Sequence, residues 1–345
     1  MSRSHLDRAE QRGPSPADLQ AALGLAVRAP SLHNTQPWQW LIGGESVHLH
    51  SDPTRCLPGT DSTGREMVIS CGAALNHFVV ALAASGWRGQ ARRLPAPGHP
   101  SCLAVVEFSP ARTNAAHTVL AAAIPGRRTD RRRFNSWPVP SELIGELIEM
   151  ANHHGARLQS ITKPLLRWKL FRAILDAAEH HAADPTQVAE LAAWTGRAAG
   201  STDGVPATHT PAPQHIVGQP RMRAFVHPAQ PQPPTGEEPE AAALLLLSTA
   251  GDSLLQWLCA GEIASAALLA ATRDGLASSL LTEPLEVGAT REYLQAQVVR
   301  DPAWTPQLLL RIGWLPPGTE ELAPTPRRPL TDVVAALDTD CGLGG

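Results

Sequence analysis

Five arginines fall within seven positions, Arg127, Arg128, Arg131, Arg132 and Arg133, and two more, Arg327 and Arg328, stand close to the C-terminus. A guanidinium carries its donors in a planar fork that grips phosphate oxygens two at a time. Such a density points to an anion, with a solvated basic turn or a nucleic-acid arm as the plainer readings. A second stretch, Ala29-Pro30-Ser31-Leu32-His33-Asn34-Thr35-Gln36-Pro37-Trp38, joins two prolines to small polar side chains and ends on a tryptophan. It reads as a loop of fixed shape that offers polar groups to a partner.

The elements around these residues are legible. Ser15 and Pro16 make an N-cap and first-turn pair, and Leu19, Leu23, Ala26 and Val27 recur at helical spacing, which predicts a helix to about Arg28. Pro30 stops it. Trp38, Trp40 and Ile42 alternate with polar residues, then Val47 and Leu49 alternate back, predicting a hairpin with both tryptophans in its core. The apolar run from Arg65 to Trp87 predicts a buried helix ending near Gly86, and "SCLAVVEF" a strand. Leu143, Leu147, Ile148 and Ala151 share a helix face closed by Gly155. Helices follow near 164–183 and 185–199, then a strand "AAALLLLST", a helix over 253–273, and strands at "SSLL" and "TPQLLLRIGW". Between them, residues 200–240 carry nine prolines, the composition of a lid, a binding loop or a disordered linker.

Other classes are set aside. A net charge of -3 and a pI near 6.5 argue against nucleic acid as partner. No stretch is judged to approach a membrane span, and the N-terminus lacks an apolar signal core. We therefore expect a cytoplasmic protein. The cysteines (Cys56, Cys71, Cys102, Cys259, Cys341) never fall at C-x-x-C spacing. We expect them buried, with no metal site. His153-His154 and His180-His181 read as solvent-facing helix ends. No dinucleotide or Walker fingerprint is present.

An internal repeat appears when "CGAALNHFVVALAASGW" is laid over "AGEIASAALLAATRDGL": Gly72 falls on Gly261 and Gly86 on Gly275 without a gap. Two similar halves, 1–120 and 121–345, would then pack about a pseudo-two-fold axis, with 200–240 inserted in the second.

The ten-residue loop, with Arg127-Arg128-Thr129-x-Arg131 and Phe134, resembles the FMN-dependent nitroreductases, and the order of motifs resembles their single-chain Acg-type branch. The resemblance implies an α+β fold, each half a mainly antiparallel sheet packed by helices. It also implies one FMN per chain, in a monomer that imitates a homodimer. It places Arg127 and Thr129 on the phosphate and ribityl chain, Arg131 on the N1/O2 edge, and Pro30, Ser31 and Asn34 against the flavin from the other half. Arg128, Arg327 and Arg328 join as further anion contacts. "TEPLEV" resembles the P-x-E-G turn, bringing Pro284, Leu285 and Glu286, with Val287 where Gly is usual. No protein acid or base is implied as catalytic, because flavin N5 carries the chemistry. Hydride would pass from NAD(P)H to a nitroaromatic or quinone-like small molecule. The alternative is a protein that stores FMN under its lid with little turnover.

Overall fold

The computed structural model describes residues 13–96, 98–198, 200–212, 219–233 and 238–337. Helix α1 (Pro16–Ala26) opens on a capping box in which Ser15 and Asp18 satisfy each other's backbone N–H. The loop leads into the hairpin β1 (Trp38–Ile42) and β2 (Ser46–Ser51), the helix α2 (Arg65–Ala84), and the strands β3 (Trp87–Arg93) and β4 (Cys102–Pro110). Helix α3 (Ala115–Ala123) bridges to α4 (Ser141–His153), β5 (Ala156–Ser160), α5 (Pro164–Ala183) and α6 (Pro185–Trp194). Short strands β6 (Thr195–Arg197) and β7 (Val205–Pro206) border the insertion. Then come β8 (Ala243–Thr249), α7 (Leu254–Arg273), β9 (Ala277–Leu280), α8 (Glu283–Glu286), α9 (Gly288–Leu294), β10 (Thr305–Gly313), α10 (Leu330–Val333) and β11 (Val334–Ala336).

The two main sheets share one design. The first runs β11-β1-β2-β4-β3 and the second β5-β8-β10-β9. Setting β11 aside, the order is the same in both, every pairing is antiparallel, and a buried helix sits between the second and third strands in sequence. β11 breaks the likeness, crossing back from the second half to pair in parallel with β1.

Those two helices cross at the glycines of the repeat. A Cβ on Gly72 would lie 2.1 Å from the Leu258 carbonyl oxygen, and one on Gly261 would lie 1.9 Å from that of Ile69. In the repeat register Ile69 matches Leu258, so the contact is reciprocal, as across an isologous interface. Asn76 and Ser265 also match in that register and bond to each other, Ser265 Oγ donating to Asn76 Oδ1 at 2.9 Å. Gly86 and Gly275, past the two helix ends, both take positive φ, 87° and 77°.

Trp38 and Trp40 are fully buried in the first core, where Trp40 meets Phe78 at 5.1 Å between ring centres. Several expectations need correction. α2 and α7, twenty residues each, are long and apolar enough to cross a bilayer, because hidden core helices pass that test; the apolar windows are 72% and 56% buried within the protein. Cys56 is exposed, and Cys259 is only partly covered. Cys341 lies outside the described residues. His181 does not face solvent: it sits 3.6 Å from Glu283 and 3.7 Å from Glu286. β3, unforeseen, is an edge strand whose outward residues are polar, so its sequence lacks an apolar signature.

Candidate functional site

A cavity of about 910 Å³ opens between the halves. Its floor is the helix crossing, with Glu66, Ile69, Ser70 and Ala73 from α2 and Gly261, Ala264 and Ser265 from α7. Pro30, Ser31, Leu32 and His33 form one wall, Thr129 and Arg131 another, and the end of β9 with Thr282, Glu283 and Pro284 a third. Arg221, Met222, Arg223 and Phe225 reach in from the proline-rich insertion. Pro30, Ser31, Thr129 and Arg131 are thus brought together by elements roughly a hundred residues apart.

The loop holds its shape against strain. His33, Asn34 and Gln36 all have positive φ, 47°, 56° and 52°, a region that costs a side-chain-bearing residue about 1–2 kcal/mol each. The offset comes from hydrogen bonds. Gln36 N–H donates to Ser31 Oγ, Leu32 N–H to Ser70 Oγ, and Asn34 Nδ2 to the carbonyls of Gly204 and Pro326 at 2.9 and 3.1 Å. Gln36 Nε2 donates to the Thr202 carbonyl, while Gln36 Oε1 accepts from Arg328 N–H. Asn34 therefore ties the loop to the insertion and is not among the lining residues.

Arg327 and Arg328 also do something other than line the cavity. All five donors of Arg327 are committed to backbone carbonyls: Nε to Val27, Nη2 to Arg28 and Ala29, Nη1 to Thr325 and Pro326. It closes the C-terminus of α1 and contributes charge, with no donor left for an anion. Arg328 binds the Gln36 and Asp332 carbonyls.

Arg127 differs. Neither it nor Arg128 is among the lining residues, but it is buried, and among the described residues its Nε has no partner and its Nη1 has only Thr129 Oγ1, at 3.5 Å. Burial, with the charges of Arg128 and Arg28, pulls it down to about 10. Arg327 is pulled to about 9 by burial, then by Arg127, Arg28 and Arg128. These guanidiniums crowd one another behind Thr129, an arrangement that a dianion would relieve. Arg128 spends Nε on Leu322 and Nη1 on Pro125 and Arg127 carbonyls. Arg131 is lowered to about 10 by burial and then Arg223, and its guanidinium lies 5.2 Å from the Phe225 ring centre.

Of the turn's three residues Pro284 lines the cavity, beside Glu283, while Leu285 and Glu286 are drawn away from it. Leu285 packs in the core beneath β10 while its carbonyl accepts from Arg65 Nη2. Glu286 takes both oxygens to Arg223, at 2.5 and 2.6 Å, and one to Thr282 Oγ1. That pair joins the insertion to the second half.

The sequence reading missed Glu66, His33, Arg223 and Phe225. Glu66 is pushed up to about 8, chiefly by burial; Arg65 opposes this, but its guanidinium is shared with the Gln307 and Leu285 carbonyls. His33 falls to about 3, by burial and then Arg223. A lone Glu at the start of an apolar helix was the available signal for Glu66, and nothing near 223 marked the other two.

No protein-family model matches the chain. A Mycobacterium tuberculosis protein, Rv3131, provisionally named an NAD(P)H nitroreductase, is 43% identical over 324 residues, 93% of this chain and 92% of its own. Another from that organism, acg, provisionally named likewise, is 37% identical over 318 residues, 91% of this chain and 94% of its own. A solved nitroreductase with bound FMN from Desulfitobacterium hafniense matches at a TM-score of 0.39 and 13% identity, over 64% of this chain and 98% of that one.

Proposed function

The chain belongs to the NAD(P)H nitroreductase family, and on that premise we propose an FMN-dependent NAD(P)H oxidoreductase that holds one FMN in the cavity beneath the insertion. Arg127 carries the reading. A buried guanidinium with an unpartnered Nε, among other arginines and beside a hydroxyl, fits a phosphate dianion. Bound there, FMN would supply two-electron transfer between a nicotinamide and a nitroaromatic or quinone-like acceptor.

The chain's own groups have separate tasks. Arg127 and Thr129 would hold the anionic end and Arg131 the polar ring edge, while Pro30 and Ser31 face them from the other half. Ala73, Gly261 and Ala264 give a small-residue floor that a flat ring can approach. Met222 and Phe225 exclude water from above. Glu66, pushed up by burial, adds a carboxyl paired with Arg65 to the cavity floor. The reciprocal helix crossing supports reading one chain in place of two subunits.

A second reading, FMN stored with little turnover, is favoured by the Arg223–Glu286 pair that fastens the insertion. Denaturing the purified protein should release one FMN per chain, and NADH or NADPH under anaerobic conditions should bleach the flavin band. Bound FMN that neither nicotinamide bleaches would leave storage standing. No flavin after reconstitution would remove both readings.

A further inference from the structure

Away from the cavity, the outer side of the first sheet gathers a different chemistry. His48 and His50 alternate along β2 with Val47 and Leu49, which belong to the core. The β2–β4 register shifts between Leu49 and His50, so that Leu49 faces Ala104 and His50 faces Cys102. The bulge keeps Leu103 in the core and sets Cys102 opposite His50. One ligand atom each from His48, His50 and Cys102 then lie within 4.8 Å of one another.

We propose that His48, His50 and Cys102 form a zinc site clamping β2 to β4. Two imidazoles and a thiol are the donor set of a tetrahedral borderline ion. The atoms of a bound set lie roughly 3.5 Å apart, so the cluster has to close by about 1 Å. Two observations point the same way. His50 Nε2 is buried without a partner. Ser46 Oγ lies 3.1 Å from His48 Nε2 and steadies that ring, as outer partners of metal-bound histidines do.

The surroundings allow a fourth ligand. Cys102 N–H donates to the His99 carbonyl across a tight turn, and His99 is close enough to His50 to influence its charge. The chain thus carries H-x-H at 48–50 and H-x-x-C at 99–102. His99 is exposed. Burial pushes the Cys102 thiol up and lowers both histidines; the exposed Arg92 opposes burial at Cys102 and adds to it at His48.

The test uses full-length, tag-free, reduced protein stripped of metal, with Co2+ as the spectroscopic probe. One Co2+ per chain should bind with a thiolate charge-transfer band and strong tetrahedral visible absorption, and Zn2+ should displace it. Cys102→Ser should abolish the charge-transfer band, and Cys259→Ser should leave it intact. His50→Gln should weaken Zn2+ binding at least about tenfold and remove the rise in Tm that Zn2+ gives the parent. A missing band, a band that survives Cys102→Ser, or a His50→Gln variant with parental affinity would overturn the site. If Cys102→Ser fails to fold, the His50→Gln titration decides alone.

Discussion

The cavity under the insertion has a counterpart across the helix crossing. In the repeat register Ser70, Ala73, Ser265, Leu280 and Thr282 match Cys259, Glu262, Asn76, Ala91 and Arg93, and those five line a second cavity of about 1070 Å³. One scaffold therefore makes two hollows. The first presents small floor residues and buried guanidiniums. In the second, Arg93 and Glu262 replace Thr282 and Ala73 and bind each other through two hydrogen bonds, at 2.7 and 2.8 Å. A long ion pair stands here where the first hollow carries a hydroxyl and a methyl group. His153, His154 and Gly155 stand at its edge, between α4 and β5, where the first half carries its strained loop. Symmetry of fold sets where a hollow lies; the side chains that line it set its charge and the groups it offers.

The largest effect should come from breaking what both hollows share. Gly261→Ala drives a Cβ into the Ile69 carbonyl, backbone against backbone. It should cost about 3 kcal/mol or more in urea unfolding, and parental stability would mean that the crossing tolerates separation.

A pH profile separates the hollows next. Glu66 matches Leu255 in the register, so only one side carries this buried carboxyl. Its native value, about 8, lies above the ordinary 4.5. The folded state therefore binds the proton more tightly, and the stability it contributes is complete below about pH 4.5 and lost as pH rises through 8. Glu66→Gln should flatten that decline across the window. An unchanged slope would place the titration elsewhere.

Arg127→Ala should weaken FMN binding by about 2 kcal/mol, roughly thirtyfold. It should leave the FMN-free protein no less stable, since it removes a charge crowded by three others. Equal affinity in a fluorescence titration would exclude Arg127 from the phosphate end. Arg223→Met with Glu286→Gln removes both partners of the insertion's fastening, leaving His181 as the partner of Glu283. FMN release should quicken about tenfold, near 1.4 kcal/mol, and unchanged release would mean that the insertion does not retain the cofactor.

The smallest effect belongs to the second hollow. Arg93→Ala should cost under about 1 kcal/mol, because that guanidinium is 37% exposed. FMN affinity should stay within measurement error; a clear loss would make the two hollows functionally coupled.

Much of this scaffold was legible because it rests on local rules. Proline and glycine placement marked α1 and the ends of α2 and α7, alternation marked the β1–β2 hairpin, and two small-residue helices betrayed the repeat. The Ser31 and Arg131 stretches were visible as unusual composition. What escaped depends on contacts across long sequence separations. Arg327 and Arg127 are the same residue type, yet one has every donor spent on carbonyls and the other has an unpartnered Nε. Spacing along the chain does not encode that difference. Glu66 was hidden inside an apolar helix, and His48, His50 and Cys102 became neighbours only through a bulge.

The loop's dependence on Arg327 and Arg328 also sets an order of assembly. Gln36 meets Arg328 across 292 positions, and β1 receives its parallel neighbour β11 from the same distant region. A growing chain that has made only its first half can form the hairpin and α2, but the left-handed turns at His33, Asn34 and Gln36 still lack the partners that offset their strain. Translation must therefore run past Arg328 before this wall of the cavity sets. A chain released before Arg327 would carry both sheets except β11, and most of its core, while lacking a finished binding wall.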